Sequence, residues 1–132
     1  MPTKITTDKA PNPKGFYSQA VKAGDYLYLS GQLPLDVNGS IVGDSPAQHT
    51  AQTMRNIEAI LLAAGARLHN LVQVTIYITN IDHWPVVNAT YQEVMKHTPV
   101  PPARAIVPVK ELHYGALVEI QAVAYLKPLY TY

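Results

Sequence analysis

The chain has 132 residues, 48 % of them apolar and only 14 % charged, with a net charge of +1 and no cysteine. This excludes a disulfide framework, a thiol nucleophile and a zinc–thiolate site. No apolar run reaches the length of a membrane span, and the ten basic residues, spread singly along the chain, form no stripe of the kind nucleic acid binding uses. A charged share well below the usual value of about a quarter leaves surface best hidden against another copy, so self-association is expected. The opening MPTKITTDKAP has neither the apolar core of a signal peptide nor the arginines of a transit peptide, and a soluble protein of the cytoplasm is expected.

One domain over residues 1–132, without internal repeats, accounts for the length. APNPKG (10–15) is punctuated as a loop. YSQAVKAG and DYLYLSGQLPL read as two strands joined by a tight Gly24-Asp25 turn, the second with Tyr26, Tyr28 and Ser30 on one face and Leu27 and Leu29 on the other. Asn38-Gly39 is a hairpin signal. The first helix has Ser45 as N-cap, Pro46 at the first helical position, Gln48 to complete a capping box and Gly65 as its stop. Its predicted apolar stripe is Ala47, Ala51, Met54, Ile57, Leu61 and Ala64. LVQVTIYIT (71–79) alternates as a strand, with Val72, Val74, Ile76 and Ile78 on the apolar face. The second helix is predicted to start at Asp82 as N-cap, to take Pro85 in its first turn and to bury Trp84, Val87, Tyr91 and Val94. ARAIV and ALVEIQAVAYL (116–126) are the last two strands, and a tyrosine-rich extension (125–132) closes the chain. The order argues an α+β fold, one mixed sheet with two helices on one face, and the opposite face needs cover that other copies would supply.

Two charges stand in apolar strands. Arg104 lies in PPARAIVPV, and a guanidinium does not shed its proton. Either an internal carboxylate satisfies it, with Glu119 the first candidate, or a ligand carboxylate does, held in a planar two-donor fork. Glu119 is then either that structural partner or a general acid/base that handles a water. Ser30, before Gly31, is a turn residue or a donor to a bound anion. Asn88 lies at the edge of the second helix's stripe, and Tyr17 is core or closes a pocket. The histidines at 49, 69, 83, 97 and 113 show no metal-ligand spacing and read as surface or capping residues, and no phosphate loop or dinucleotide fingerprint is present, so neither metal nor cofactor is expected.

GFYSQAVKAGDYLYLSGQLPLD (15–36), NATYQEVM (88–95), PPARAIVPV (101–109) and GALVEIQAVA (115–124), in that order, resemble the RidA/YjgF family of reactive intermediate deaminases. The resemblance implies a chorismate-mutase-like fold, with a mainly antiparallel six-stranded sheet and two helices, assembled as a homotrimer with clefts between subunits. It implies hydrolysis of enamine/imine intermediates such as 2-aminoacrylate to 2-oxo acids and ammonia. By position, Arg104 matches the arginine that binds the substrate carboxylate and Glu119 the glutamate near the reacting water; Tyr17, Ser30 and Asn88 match pocket positions, and Gly31 borders the site. Ile106 stands where many members have cysteine, and Gln121 where many have a second glutamate, which allows a pathway-specific imine or enamine substrate. The alternatives are the endoribonuclease activity ascribed to some relatives and a non-catalytic carboxylate-binding module.

Overall fold

The computed structural model describes residues 1–127. Eight elements build it: β1 (Thr3–Ile5), β2 (Ala20–Ala23), β3 (Tyr26–Gln32), α1 (Pro46–Ala63), β4 (Leu71–Ile78), α2 (Trp84–Val94), β5 (Ala103–Pro108) and β6 (Val118–Tyr125). The strands form one six-stranded sheet in the order β1-β2-β3-β6-β4-β5. All neighbours are antiparallel except β4 and β5, which run parallel because α2 carries the chain back between them. This is the α+β architecture expected, with β1 added from a stretch the sequence pattern left unassigned.

Alternation along the strands decides where the core sits. Leu27 and Leu29 of β3, Val74, Ile76 and Ile78 of β4, and Val118, Ile120, Ala122 and Ala124 of β6 are buried and form one apolar face. With Met54, Ile57, Ile60 and Leu61 of α1 and Val87 and Tyr91 of α2 they make a single cluster. Val72 departs from its expected place. A register shift between Leu71 and Gln73 puts Leu71, not Val72, into the core. The opposite face carries Tyr26, Tyr28, Tyr77, Gln121 and Tyr125 and has no layer over it among the described residues of the single chain; Tyr26 and Tyr28 are 43% and 51% exposed.

The end signals of α1 act as its sequence indicates. Ser45 Oγ accepts the Gln48 N–H (3.1 Å) and Gln48 Oε1 accepts the Ser45 N–H (3.2 Å), while Pro46 opens the helix. At the other end Gly65 takes φ +76, and the N–H groups of Gly65 and Ala66 return to the carbonyls of Leu62 and Leu61, which is the Schellman arrangement. The buried face of α1 departs from the expected stripe: Met54, Ile57 and Leu61 are buried but Ala47, Ala51 and Ala64 only half-buried, while the polar His49, Thr50, Gln52, Thr53 and Asn56 are buried. Their hydrogen bonds explain this: Asn56 donates to the carbonyls of Leu33 and Leu35, and Gln52 to that of Leu35. His49 Nδ1 accepts the Leu117 N–H (3.0 Å), so its Nε2–H is the one that donates to Gly43 O (3.0 Å).

For α2 two expectations fail. Asp82 does not cap α2: the residue before the helix is His83, which makes no side-chain cap, and Asn80 Oδ1 accepts the Asp82 N–H (2.9 Å) at the head of a 3-10 turn, Ile81–His83, that leads into the helix. Trp84 is 45% exposed, because that turn rotates the helix entry and leaves Val87, Tyr91 and Met95 as the buried side chains, with Val94 half-buried. The Asn38-Gly39 signal gives a tight turn closed by a single Leu35–Ile41 bridge rather than a hairpin of two full strands. Of the tyrosine-rich extension, Tyr125 belongs to β6 and Lys127 pairs with Asp25 at 3.3 Å; the remainder lies outside the described residues.

The loop before β2 is fastened by one buried amide. Gln19 Oε1 accepts the Thr7 N–H (2.7 Å), and its Nε2 donates to the carbonyls of Thr7, Ala10 and Pro11. Gln19→Leu leaves these groups without partners, and we expect a loss of about 2–4 kcal/mol in a urea melt at fixed protein concentration.

Candidate functional site

The residues singled out in the sequence fall into two groups. The first surrounds a cavity of about 490 Å³ lined by Tyr17, Ser30, Gly31 and Glu119, among others. A bulge creates the approach: Leu29 faces Ala122 and Gln32 faces Ile120, so Ser30 and Gly31 together oppose the one residue Gln121. Gly31 makes room for Glu119, because a β-carbon on it would overlap the carboxylate and push that side chain aside. Ser30 Oγ donates to Ser18 O at 2.6 Å. Its proton is therefore committed, and the hydroxyl oxygen meets a ligand as an acceptor rather than as the anion donor expected.

Glu119 sits on the open face of the sheet, opposite Tyr77 of β4. It is half-buried, and burial pushes its carboxyl above the ordinary value, an effect the charge of His113 partly offsets. A carboxylate held this way takes a proton more readily than one in water, which is the property a proton-transfer group needs near neutral pH.

The second group surrounds Arg104. By register Arg104 is level with Val74, and its side chain lies on the helix-bearing face. Its Nη1 donates to Asn88 Oδ1 of α2 at 2.8 Å, and the guanidinium carbon stands 5.2 Å from the centre of the Tyr91 ring. Both arginine and asparagine border a second cavity, of about 550 Å³. Arg104 is exposed on an edge strand, not enclosed by its apolar neighbours, and no carboxylate lies within 4.0 Å of it among the described residues. With one of its five N–H groups used, the remainder and the Asn88 amide N–H groups present donors only, which suits an anion. Ile106, two residues on and on the same face, is half-buried against the core.

Glu119 is therefore not the internal partner of Arg104. The two lie on opposite faces of the sheet, two strands apart (roughly 10 Å) and three residues apart along the strands (roughly 10 Å). Within one copy a three-carbon acid cannot touch both.

Lys14, His113 and Tyr114 also line the Glu119 cavity, and the sequence reading passed over their position there. His113 reads as a surface histidine until the turn His113–Gly115 brings it beside β6; the tight Tyr114-Gly115 pair directly before a strand is the signal that was available. Tyr91 reads as plain core, yet it is the platform under Arg104. Its hydroxyl is buried without a partner among the described residues, and burial raises its pKa while the Arg104 charge acts the other way. Tyr91→Phe should keep the platform and remove an unsatisfied hydroxyl, so we expect stability to rise by about 1 kcal/mol in a denaturant melt, with no loss of whatever ligand Arg104 holds.

Comparison with known proteins gives these two groups a context. The family model described as Endoribonuclease L-PSP matches residues 7–126. A RutC family protein of Pyrococcus horikoshii is 41% identical over 92% of this chain and 95% of its own. Among solved structures, the Rid-family protein YyfA of Yersinia pestis is 40% identical, with a TM-score of 0.91 over 95% of this chain and 99% of that one. TdcF of E. coli, solved with bound serine, is 29% identical, with a TM-score of 0.88 over 93% and 98%. A match of this extent, in sequence and in fold, identifies the chain as a member of the RidA/YjgF family, the family of the Endoribonuclease L-PSP model.

Proposed function

We propose that the protein hydrolyses small enamine and imine acids, such as 2-aminoacrylate, to 2-oxo acids and ammonia, at sites between the copies of a cytoplasmic homotrimer. One copy supplies Arg104, Asn88 and Ile106; its neighbour supplies Tyr17, Ser30, Gly31 and Glu119. The observation that carries this reading is the separation just described: a donor-only cluster on one face and a proton-handling cavity on the other, each incomplete alone. The uncovered tyrosine-bearing face of the sheet supports assembly, and the serine bound in TdcF has the three-carbon size of the proposed substrate.

The chemistry follows from these groups. Arg104, oriented by Asn88 and Tyr91, holds the substrate carboxylate, and Ile106 bounds the space beside it. The enamine gains a proton on carbon and loses one from nitrogen to solvent, becoming the imine, whose C=N carbon is electrophilic. Glu119 accepts a proton from water as the water oxygen bonds to that carbon. The same carboxyl gives that proton to the nitrogen, forming the carbinolamine, and then carries the carbinolamine hydroxyl proton to the nitrogen as the C–N bond breaks, the C=O forms and ammonia leaves. Ser30 Oγ, an acceptor, orients the water or the N–H group. The two contributions are placement of the carboxylate and proton transfer, the latter worth about 10²–10⁴ in rate.

The endoribonuclease reading, which the family model's description raises, lacks a supporting basic cluster at the Glu119 cavity, where Lys14 and His113 are the only basic side chains among the described residues.

Coupling the protein to a dehydratase that releases 2-aminoacrylate, and following the 2-oxo acid, tests the proposal. Arg104→Ala should lower kcat/KM by about 100-fold or more and Glu119→Gln by about 10²–10⁴. Full activity in Arg104→Ala, or RNA cleavage that Arg104→Ala abolishes in place of oxo-acid release, would contradict it.

The same glutamate gives a stability test that separates an enzyme from a binding module. A carboxyl raised by burial binds more protons folded than unfolded, so stability falls as pH rises from the ordinary carboxylate value through the raised one. Glu119→Gln should therefore keep or raise the Tm at pH 7, and the difference should close below about pH 4. A structural ion-pair role requires the reverse, a lower Tm at pH 7.

A further inference from the structure

The Glu119 cavity has a wall that the proposed reaction does not yet use. Immediately before β6 the chain turns tightly over His113–Gly115, with Tyr114 at φ +63 and Gly115 at φ +70. Tyr114 is the only non-glycine residue at positive φ among the described residues, a conformation disfavoured by contact of Cβ with the backbone. Backbone held in such a state marks a place where position matters, and here the turn brings the His113 side chain to the cavity that holds Glu119. Lys14 Nζ lies 4.9 Å from the centre of the Tyr114 ring, so the loop before β2 clasps the turn from across the rim.

Glu119 is the one carboxylate lining this cavity among the described residues. The titratable groups that face Glu119 are Lys14 and Tyr17 from the loop before β2, His113 and Tyr114 from the turn, and Tyr77 of β4 across the strand pair. Of these side-chain types only an imidazole ordinarily changes charge between about pH 5 and 8. We propose that His113 is a positioning residue for Glu119, an imidazole that the strained turn presents to the cavity so that its protonated ring keeps the carboxylate ionised, and able to take a proton from water, as acidity rises. The direction agrees with the balance at Glu119, where burial acts upward and the His113 charge downward. The catalytic consequence rests on the deaminase reading above; the pairing of the two side chains does not.

His113 is exposed, so it can be replaced without disturbing the core. His113→Gln removes the charge and His113→Lys makes it permanent. The Glu119 side-chain carboxyl, followed by 13C NMR titration without substrate, should have its midpoint raised by about half a pH unit or more in His113→Gln and not raised in His113→Lys. The acid limb of kcat/KM should move in the same order, with Tm unchanged. An identical Glu119 midpoint in the wild type and His113→Gln would overturn the proposal whatever the rates do. A midpoint that moves as expected in a protein that releases no 2-oxo acid would uphold the pairing and reject the deaminase reading.

Discussion

Successive side chains of a β-strand point to opposite faces, and that alternation governs everything the sheet of this protein presents. Arg104 is level with Val74 on the face that carries the helices, and Glu119 is level with Tyr77 on the face that carries none. No rotamer brings the two together across a sheet whose core is closed by Val74, Ile76, Ile78 and Ile120. Chemistry that uses both has to bring the helix-bearing edge of one copy onto the open face of another.

The division also sorts the chemistry. At the Arg104 end every unused polar hydrogen is a donor, and the Tyr91 ring and Asn88 fix the plane of the guanidinium before any ligand arrives. Pre-orientation of this kind lowers the cost of ordering a long side chain on binding. At the Glu119 end the groups accept or exchange protons: Ser30 has already given its hydrogen to Ser18, and the carboxyl is held above its ordinary range by burial. The cavity is kept in shape by buried amides, of which Gln19 belongs to its own lining. Gln19 fastens the loop that carries Tyr17, and Asn56 and Gln52 of α1 fasten the segment after Gly31. These polar residues sit in the core because each has its partners.

Much of this was legible in the sequence where a local rule dictates the outcome. The ends of α1 follow from Ser45, Pro46, Gln48 and Gly65, whose capping chemistry depends on few neighbours. The strand faces of β3 and β6 follow from alternation alone. The reading failed where one residue alters phase or direction. The register shift after Leu71 displaces Val72, and the 3-10 turn before α2 swings Trp84 into solvent; neither has a signature in hydrophobic pattern. The isolated arginine and glutamate were legible as unusual, but their relation was not. Which face each occupies depends on strand register across β4, which pairs residues far apart in the chain. The position of His113 is signalled in the sequence only by the tight Tyr114-Gly115 pair before β6, because a turn and not a periodic pattern brings it to the Glu119 cavity.

The central claim is that one site draws Arg104 from one copy and Glu119 from its neighbour, and mixing two crippled chains tests it directly. Arg104→Ala and Glu119→Gln chains, each inactive alone, would be co-refolded in equal amounts and assayed for 2-oxo acid release. In the proposed closed trimer, random assembly leaves about one site in four with both residues intact, so activity should return to about a quarter of the wild-type value. No recovery from trimers shown to contain both chains would mean that the two residues serve the same copy, or no common site, and the account would fail.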